Sequence, residues 1–110
     1  MKKITEFLLV EKKDDVYTIR MTPELQDDLG TIGFAQFYQV EKVDKGDIIM
    51  KVEASKAIVN VKMPISGTVV EKNMEVLKNP QLLNSASEND NWIVRLTDVN
   101  EQDYNALEDY

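Results

Sequence analysis

The feature that most constrains this chain is a pair of alternating apolar runs facing each other across a short break. In residues 48–53, Ile48, Met50 and Val52 fall on one face of an extended strand, and Ile49, Lys51 and Glu53 on the other. Residues 57–63 repeat the period of two with Ala57, Val59, Val61 and Met63. Extended backbone sends successive side chains to opposite faces, so the two runs read as a half-buried β-hairpin. Ala54, Ser55 and Lys56 occupy the break, with Lys56 near the tip. The break lacks an Asn-Gly or Asp-Gly pair, so the turn type stays open.

The rest of the chain reads in similarly short units. Residues 7–10 form a first strand, 11–15 a charged turn and 16–21 a second strand rich in β-branched and aromatic residues. Residues 22–30 carry a compact helix signature. Thr22 caps, Pro23 takes the first helical position, Glu24 suits the positive end, Leu25 and Leu29 share a face, and Gly30 suits a left-handed stop. Residues 32–40 and 43–53 read as strands, with a turn at Asp44-Lys45-Gly46-Asp47. A second turn, Pro64-Ile65-Ser66-Gly67, leads into a strand at 68–71. Residues 73–87 are mostly loop with a short helical piece around 80–84, and 92–96 is the last strand. Residues 100–108 read as a C-terminal helix, capped by Asp98 or Asn100, with Tyr104 and Leu107 three apart. Many short strands and few short helices predict an all-β sandwich or barrel. With 110 residues and no low-complexity linker, a single domain over 1–110 is expected.

Composition narrows the chemistry. The chain has no cysteine and no histidine. Thiolate nucleophiles, disulfides, an imidazole acid or base, and the favoured zinc and copper ligands are therefore all missing. Any group transfer or redox chemistry must use atoms attached to the protein, which is expected to be no enzyme in its own right. The formal net charge of −7 disfavours nucleic acid and anionic membranes as partners, and favours a basic protein surface. Lys2 and Lys3 precede a continuous apolar run of only residues 7–10, and Glu6 interrupts the approach to it. A secretory leader needs about 7–15 apolar residues, so a cytoplasmic protein without a membrane span is expected.

Other conspicuous residues have ordinary readings. Asp14-Asp15 and Asp27-Asp28 lack calcium-loop spacing and read as solvated faces. Met21, Met50, Met63 and Met74 read as core filling, and Trp92 as a core anchor with its indole nitrogen satisfied.

One constellation does carry chemistry. Gly46-Asp47 is followed by Glu53-Ala54-Ser55-Lys56-Ala57 and then by Pro64-Ile65-Ser66-Gly67. Gly46 lies ten residues before Lys56, Pro64 eight after it and Gly67 eleven after it. A swinging-arm carrier needs a lysine projecting from a narrow, rigid hairpin, small neighbours that leave its amine open, and glycines where the chain turns sharply. Residues 52–57 followed by 64–73 resemble the lipoyl-lysine region of glycine cleavage H proteins. There a glutamate stands three residues before the modified lysine, an alanine follows it, and a Pro-x-Ser-Gly turn lies at this distance. The early helix ending Leu29-Gly30, the Asn79-Pro80-Gln81-Leu82-Leu83-Asn84 segment, the strand of Trp92 and the C-terminal helix also resemble the family, so the likeness covers residues 15–110.

The resemblance implies a barrel-sandwich hybrid of two small sheets related by an approximate two-fold, plus a C-terminal helix. It implies lipoate in amide linkage on Lys56, attached by a lipoate ligase or lipoyl transferase that Glu53, Ala54, Ser55 and Ala57 help to recognise. Gly46, Pro64 and Gly67 would be structural turns. The implied partners are glycine decarboxylase, aminomethyltransferase and dihydrolipoamide dehydrogenase, met transiently by a monomer. Three departures point also to an H-like carrier. Thr5 to Val10 replace the family's His-x-Trp start, Ala54-Ser55 replace the more frequent Ser-Val, and Thr31-Ile32-Gly33-Phe34 lack the usual acidic residue. Such carriers serve lipoate relay, or a redox-stress system with a macrodomain protein and a sirtuin-type ADP-ribosyltransferase.

Two rival readings remain. Val61-Lys62-Met63 resembles the Met-Lys-Met of biotin carriers, which makes a biotin-accepting domain the alternative. It lacks the first methionine and lies two residues before Pro64, so Lys62 reads as a solvated or edge-protecting lysine. The other rival is an unmodified β-rich interaction module, in which Lys56 is an ordinary exposed lysine.

Overall fold

The computed structural model describes residues 2–5 and 7–110; Glu6, which interrupts the N-terminal apolar pattern, lies outside the described residues. In chain order the elements are β1 (Lys2–Thr5), β2 (Leu8–Lys13), β3 (Val16–Met21), α1 (Pro23–Leu29), β4 (Ile32–Phe37), β5 (Lys42–Val43), β6 (Ile48–Ala54) and β7 (Ile58–Lys62). There follow β8 (Gly67–Lys72), α2 (Glu75–Lys78), a 3-10 turn (Pro80–Asn84), β9 (Trp92–Thr97), α3 (Glu101–Asn105) and β10 (Glu108–Asp109). A larger sheet has the order β10-β1-β2-β3-β9-β8-β5 and a smaller one the order β4-β6-β7. The expected β-rich fold with short helices is therefore present, but the two sheets are unequal, with seven and three strands.

The sheets close on one core. Val10, Ile19, Met21, Val94 and Leu96 of the larger sheet and Ile32, Ala35, Met50, Val52 and Val61 of the smaller belong to a single buried cluster. The helix α1 forms as its sequence dictates. The Thr22 hydroxyl accepts the Leu25 amide at 3.1 Å, Pro23 opens the helix, and Leu25 and Leu29 are buried against the core. Gly30 ends it with φ 73° and ψ −149°, so the stop is not left-handed helical; it lies in a backbone region open essentially to glycine alone.

Several expected boundaries move, each because a partner supplies what the linear pattern hides. Residues 2–5 form a strand ahead of the expected first one, paired with β2. Residues 11–13 belong to β2, not to a turn, and only Asp14 and Asp15 connect it to β3. Two of their charges have partners. Glu11 accepts from Arg20 at 2.5 Å, and Lys12 donates to Glu101 at 2.9 Å. That last hydrogen bond holds the Lys12 ammonium above, and the Glu101 carboxyl below, its ordinary range. The strand expected over 32–40 stops at Phe37, and the one expected over 43–53 divides into β5 and β6 around the turn at 44–47.

The face assignment in β6 also changes. The register with β7 shifts between Ile48 and Met50, so Ile49 and Met50 both point into the core and Ile48 is exposed. Residues 75–78 form a helix in what reads as loop, and it leaves Met74 55% exposed rather than filling the core. The C-terminal helix covers only Glu101–Asn105 and is capped by Asn100, whose Oδ1 accepts the amides of Gln102 and Asp103. Asp98 instead adopts φ 56° in the preceding turn. Tyr104 packs edge-on against Tyr17 at 5.1 Å, while residues 108–109 leave the helix and pair with β1, where Lys3 bonds Asp109. Among the described residues, no helix is long and apolar enough to cross a membrane.

Candidate functional site

The hairpin of β6 and β7 ends in a tight turn. The amide of Ala54 donates to the carbonyl of Ala57 at 2.9 Å, leaving Ser55 and Lys56 as the two residues at the apex, both exposed. The apex does not stand alone. It rests on the segment that follows α1. The Ser55 amide donates to the Thr31 carbonyl at 2.9 Å, and the Lys56 amide to the Leu29 carbonyl at 3.0 Å. In return the Thr31 amide donates to Ser55 Oγ at 3.1 Å. These bonds hold the backbone of the tip from below and leave the Lys56 side chain exposed.

Gly30 makes this contact possible. A Cβ at that position would lie 2.5 Å from Ser55 Oγ and 3.3 Å from Lys56 Cγ, well inside van der Waals contact. Asn84 of the 3-10 turn fixes the same segment from the other side. Its Nδ2 donates to the Gly30 carbonyl at 2.7 Å, and its Oδ1 accepts the Ile32 amide at 2.9 Å. Gln26 joins α1 to the 3-10 turn through donated bonds to the carbonyls of Leu83 and Ser85, at 2.7 and 2.9 Å. The Lys56 ammonium donates to the Asp27 carbonyl at 3.2 Å, in the last turn of α1, where helix carbonyls lack intrahelical partners and attract cations.

The other expected site residues divide between this tip and the foot of the hairpin. Glu53 lies on the outward face of β6, with Lys51 Nζ 3.9 Å from its carboxylate. Ala54 and Ala57 are half-buried under the apex and keep it narrow. Ser55 does more than leave space: its hydroxyl is part of the brace. Gly46 has φ 95° in the 44–47 turn, and its amide donates to the Met63 carbonyl at 2.8 Å. Pro64 is buried at the foot of the hairpin. Gly67 is not a turn residue but the first residue of β8. It is required by close packing, since a Cβ there would lie 2.9 Å from Val99 Cγ2 and 3.0 Å from the Thr97 carbonyl oxygen. Lys62 sits at the far end of β7, opposite Ile48 on the outer strand of the smaller sheet. Trp92 is buried beneath the Arg95 guanidinium, which lies 3.8 Å from its ring centre.

A family model described as glycine cleavage H-protein matches residues 2–110. The chain belongs to the glycine cleavage H-protein family. A "Glycine cleavage system H-like protein" of Staphylococcus aureus (strain Mu50) is 43% identical over 107 residues, covering 97% of each chain. A glycine cleavage system H protein of Listeria innocua is 37% identical over 99 residues, 89% of this chain and 79% of that one. The crystal structure of the H protein from Mycobacterium marinum superposes with a TM-score of 0.75 over 87% of this chain and 81% of that one. At 19% identity, that likeness establishes the H-protein fold.

Within this fold the brace of Leu29, Gly30, Thr31 and Asn84 is the part that reasoning from sequence missed. Gly30 reads from the sequence as a helix stop and Asn84 as the end of the short helical piece around 80–84. Gly30 meets residues 55 and 56, and Asn84 meets Gly30 across 54 positions of chain, so neither contact leaves a local signal.

Proposed function

We propose that this protein is a lipoyl carrier and that Lys56 holds the group in amide linkage. The observation that carries the reading is the apex itself. One exposed amine, hydrogen-bonded to the Asp27 carbonyl, stands on a two-residue turn whose backbone amides are bonded to Leu29 and Thr31. The surroundings fit such a group. Ser55 and the two alanines leave the amine open to another protein's active site, and no bulky side chain of the turn shields it.

Attachment requires only what the tip offers. The ammonium loses a proton, and the neutral Nζ attacks the carbonyl of an activated lipoyl donor held by the attaching enzyme. The donor's leaving group departs, a second proton is lost, and an uncharged amide remains. When bound, lipoate supplies a redox-active disulfide at the end of a flexible tether. The chain's own contribution is positional: a stiff hairpin raises the effective concentration of the tethered group at each enzyme it visits. Because the chain lacks cysteine and histidine, catalysis falls to those enzymes.

The partners in this reading are a lipoate ligase or lipoyl transferase, then glycine decarboxylase, aminomethyltransferase and dihydrolipoamide dehydrogenase. A second reading, an H-like carrier outside glycine cleavage, is supported by the Thr5 to Val10 segment in place of His-x-Trp and by the end-to-end match to an H-like relative. In that reading the carrier serves lipoate relay, or a stress response with the ADP-ribosyltransferase and macrodomain partners.

Intact mass after incubation with lipoate, ATP and a lipoate ligase tests the reading. Wild type is expected to gain one lipoyl group and Lys56→Arg none. Biotin on the protein, label on Lys62, or an unmodified wild type defeats it. Glycine decarboxylation with the lipoylated protein then separates the two roles, since an intact arm without turnover favours the H-like one.

A further inference from the structure

The smaller sheet presents an unusual outer face next to Lys56. In its register Phe34 lies opposite Glu53, and Glu53 opposite Ile58. Paired residues share a face, so these three side chains form a row across the sheet. Their inward neighbours Ala35 and Val52 are buried, which places the row on the solvent side. Ile58 is 66% and Phe34 43% exposed. The next outward row, Gln36, Lys51 and Asn60, is entirely polar, as the solvent face of a sheet should be. The apolar surface continues beyond the edge of β4. Met74 and Leu77 of the α2 region, both exposed, line a shallow hollow together with Phe34 and Phe37.

We infer that the Ile58, Glu53 and Phe34 row, extended by Leu77 and Met74, is the docking surface for the enzyme that acylates Lys56. The inference rests on the carrier reading and names its first partner surface. Reach decides the occupant. A lysine amine lies about 6 Å from its own backbone, counting five bonds. Ile58 lies two residues and Glu53 three residues from Lys56, about 7–10 Å along the strands, with Phe34 one strand further on. An active site that closes on Nζ therefore brings its rim over Ile58 and Glu53, and Phe34 is the next side chain of the same face. Enzymes that use the finished arm face no such requirement, because the added acyl chain roughly doubles the reach. Charge agrees with shape: Glu53 is the row's single charged group, set between two apolar side chains. The complementary surface is an apolar groove with a central cation that shares Glu53 with Lys51, 3.9 Å from its carboxylate, and arginine is the cation enriched in interface cores.

The test measures steady-state acylation by a purified lipoate ligase, with lipoate and ATP, on full-length protein. Phe34→Ser with Ile58→Thr is expected to raise the KM for the carrier about tenfold or more, with kcat nearly unchanged. Ile58→Val should restore most of the loss at that position. Tyr110→Ser, at an exposed aromatic residue on the other sheet, should change neither constant. Circular dichroism and urea unfolding confirm that each variant is folded, and Ile58→Thr alone keeps a β-branched residue if the double variant is not. Once lipoylated, the variant should be reduced by dihydrolipoamide dehydrogenase as fast as wild type. An unchanged KM overturns the inference while leaving the carrier reading intact. An equal loss with the dehydrogenase also overturns it, because the surface would then be shared. A wild-type protein that the ligase does not acylate overturns both.

Discussion

The two ends of the β6 and β7 hairpin are built on opposite terms. At the tip, Ser55 and Lys56 are exposed and the neighbours of Lys56 are small. Order there comes from hydrogen bonds to the chain beneath, at Leu29 and Thr31. At the base, Met63 and Ile65 are fully buried, Pro64 is enclosed, and Gly67 is wedged against Thr97 and Val99. Both ends carry a lysine. Lys56 crowns a turn with its exposed amine resting on the Asp27 carbonyl, whereas Lys62 lies along an outer strand. The difference teaches that rigidity at a reactive site need not come from burial. Burial would hold the tip but hide the amine; hydrogen bonds to its backbone hold it and leave the amine accessible.

The largest effect expected from this division is at Lys56 itself. Lys56→Arg should abolish acylation completely, because a guanidinium stays protonated and is no acyl acceptor, while the urea midpoint stays at the wild-type value. Acylation persisting in that variant would move the reactive amine away from the tip and break the comparison outright.

The base should show the reverse pattern. Met63→Ala is expected to cost about 2–5 kcal/mol in urea unfolding, the range for truncating a fully buried side chain. The acylation rate per folded molecule should not change. A slower rate at equal folded fraction would show that packing at the base sets the geometry of the tip.

Gly30→Ala joins the two behaviours. The new Cβ meets Ser55 Oγ and the backbone conformation is hostile to alanine. A cost of about 1–3 kcal/mol is expected, with slower acylation and faster hydrogen exchange at the amides of Ser55 and Lys56. Wild-type exchange at those amides would count against the brace.

The smallest effect belongs to Asn84→Ala, which leaves the Gly30 carbonyl and the Ile32 amide without that side chain's bonds. We expect a loss of about 1 kcal/mol and a modest rise in exchange at the tip, read by the same two measurements. If only global stability falls, Asn84 supports the fold without steadying the lysine.

How far the site was legible follows from which interactions are local. Alternation on either side of residues 54–56 is a property of the backbone repeat, so the hairpin, its tip and the exposure of Lys56 can be read from the sequence. The Thr22, Pro23 and Gly30 signals of α1 are local for the same reason. Strand limits were less legible at 11–13, because Glu11 and Lys12 are reconciled with pairing only by Arg20, Tyr17 and Glu101. Met74 reads as core by residue type, but the short helix after it turns that side chain outward.

Local order therefore determined the elements, the hairpin and the position of one lysine at its turn, since each depends on neighbours a few residues apart. Tertiary structure alone decided that Gly30 and Asn84 lie under that turn, that Gly67 packs against Val99, and that Phe34 and Ile58 share a row with Glu53. These contacts join segments far apart in the chain. Their geometry depends on strand register and on how the sheets close, and neither leaves a periodic trace in the sequence.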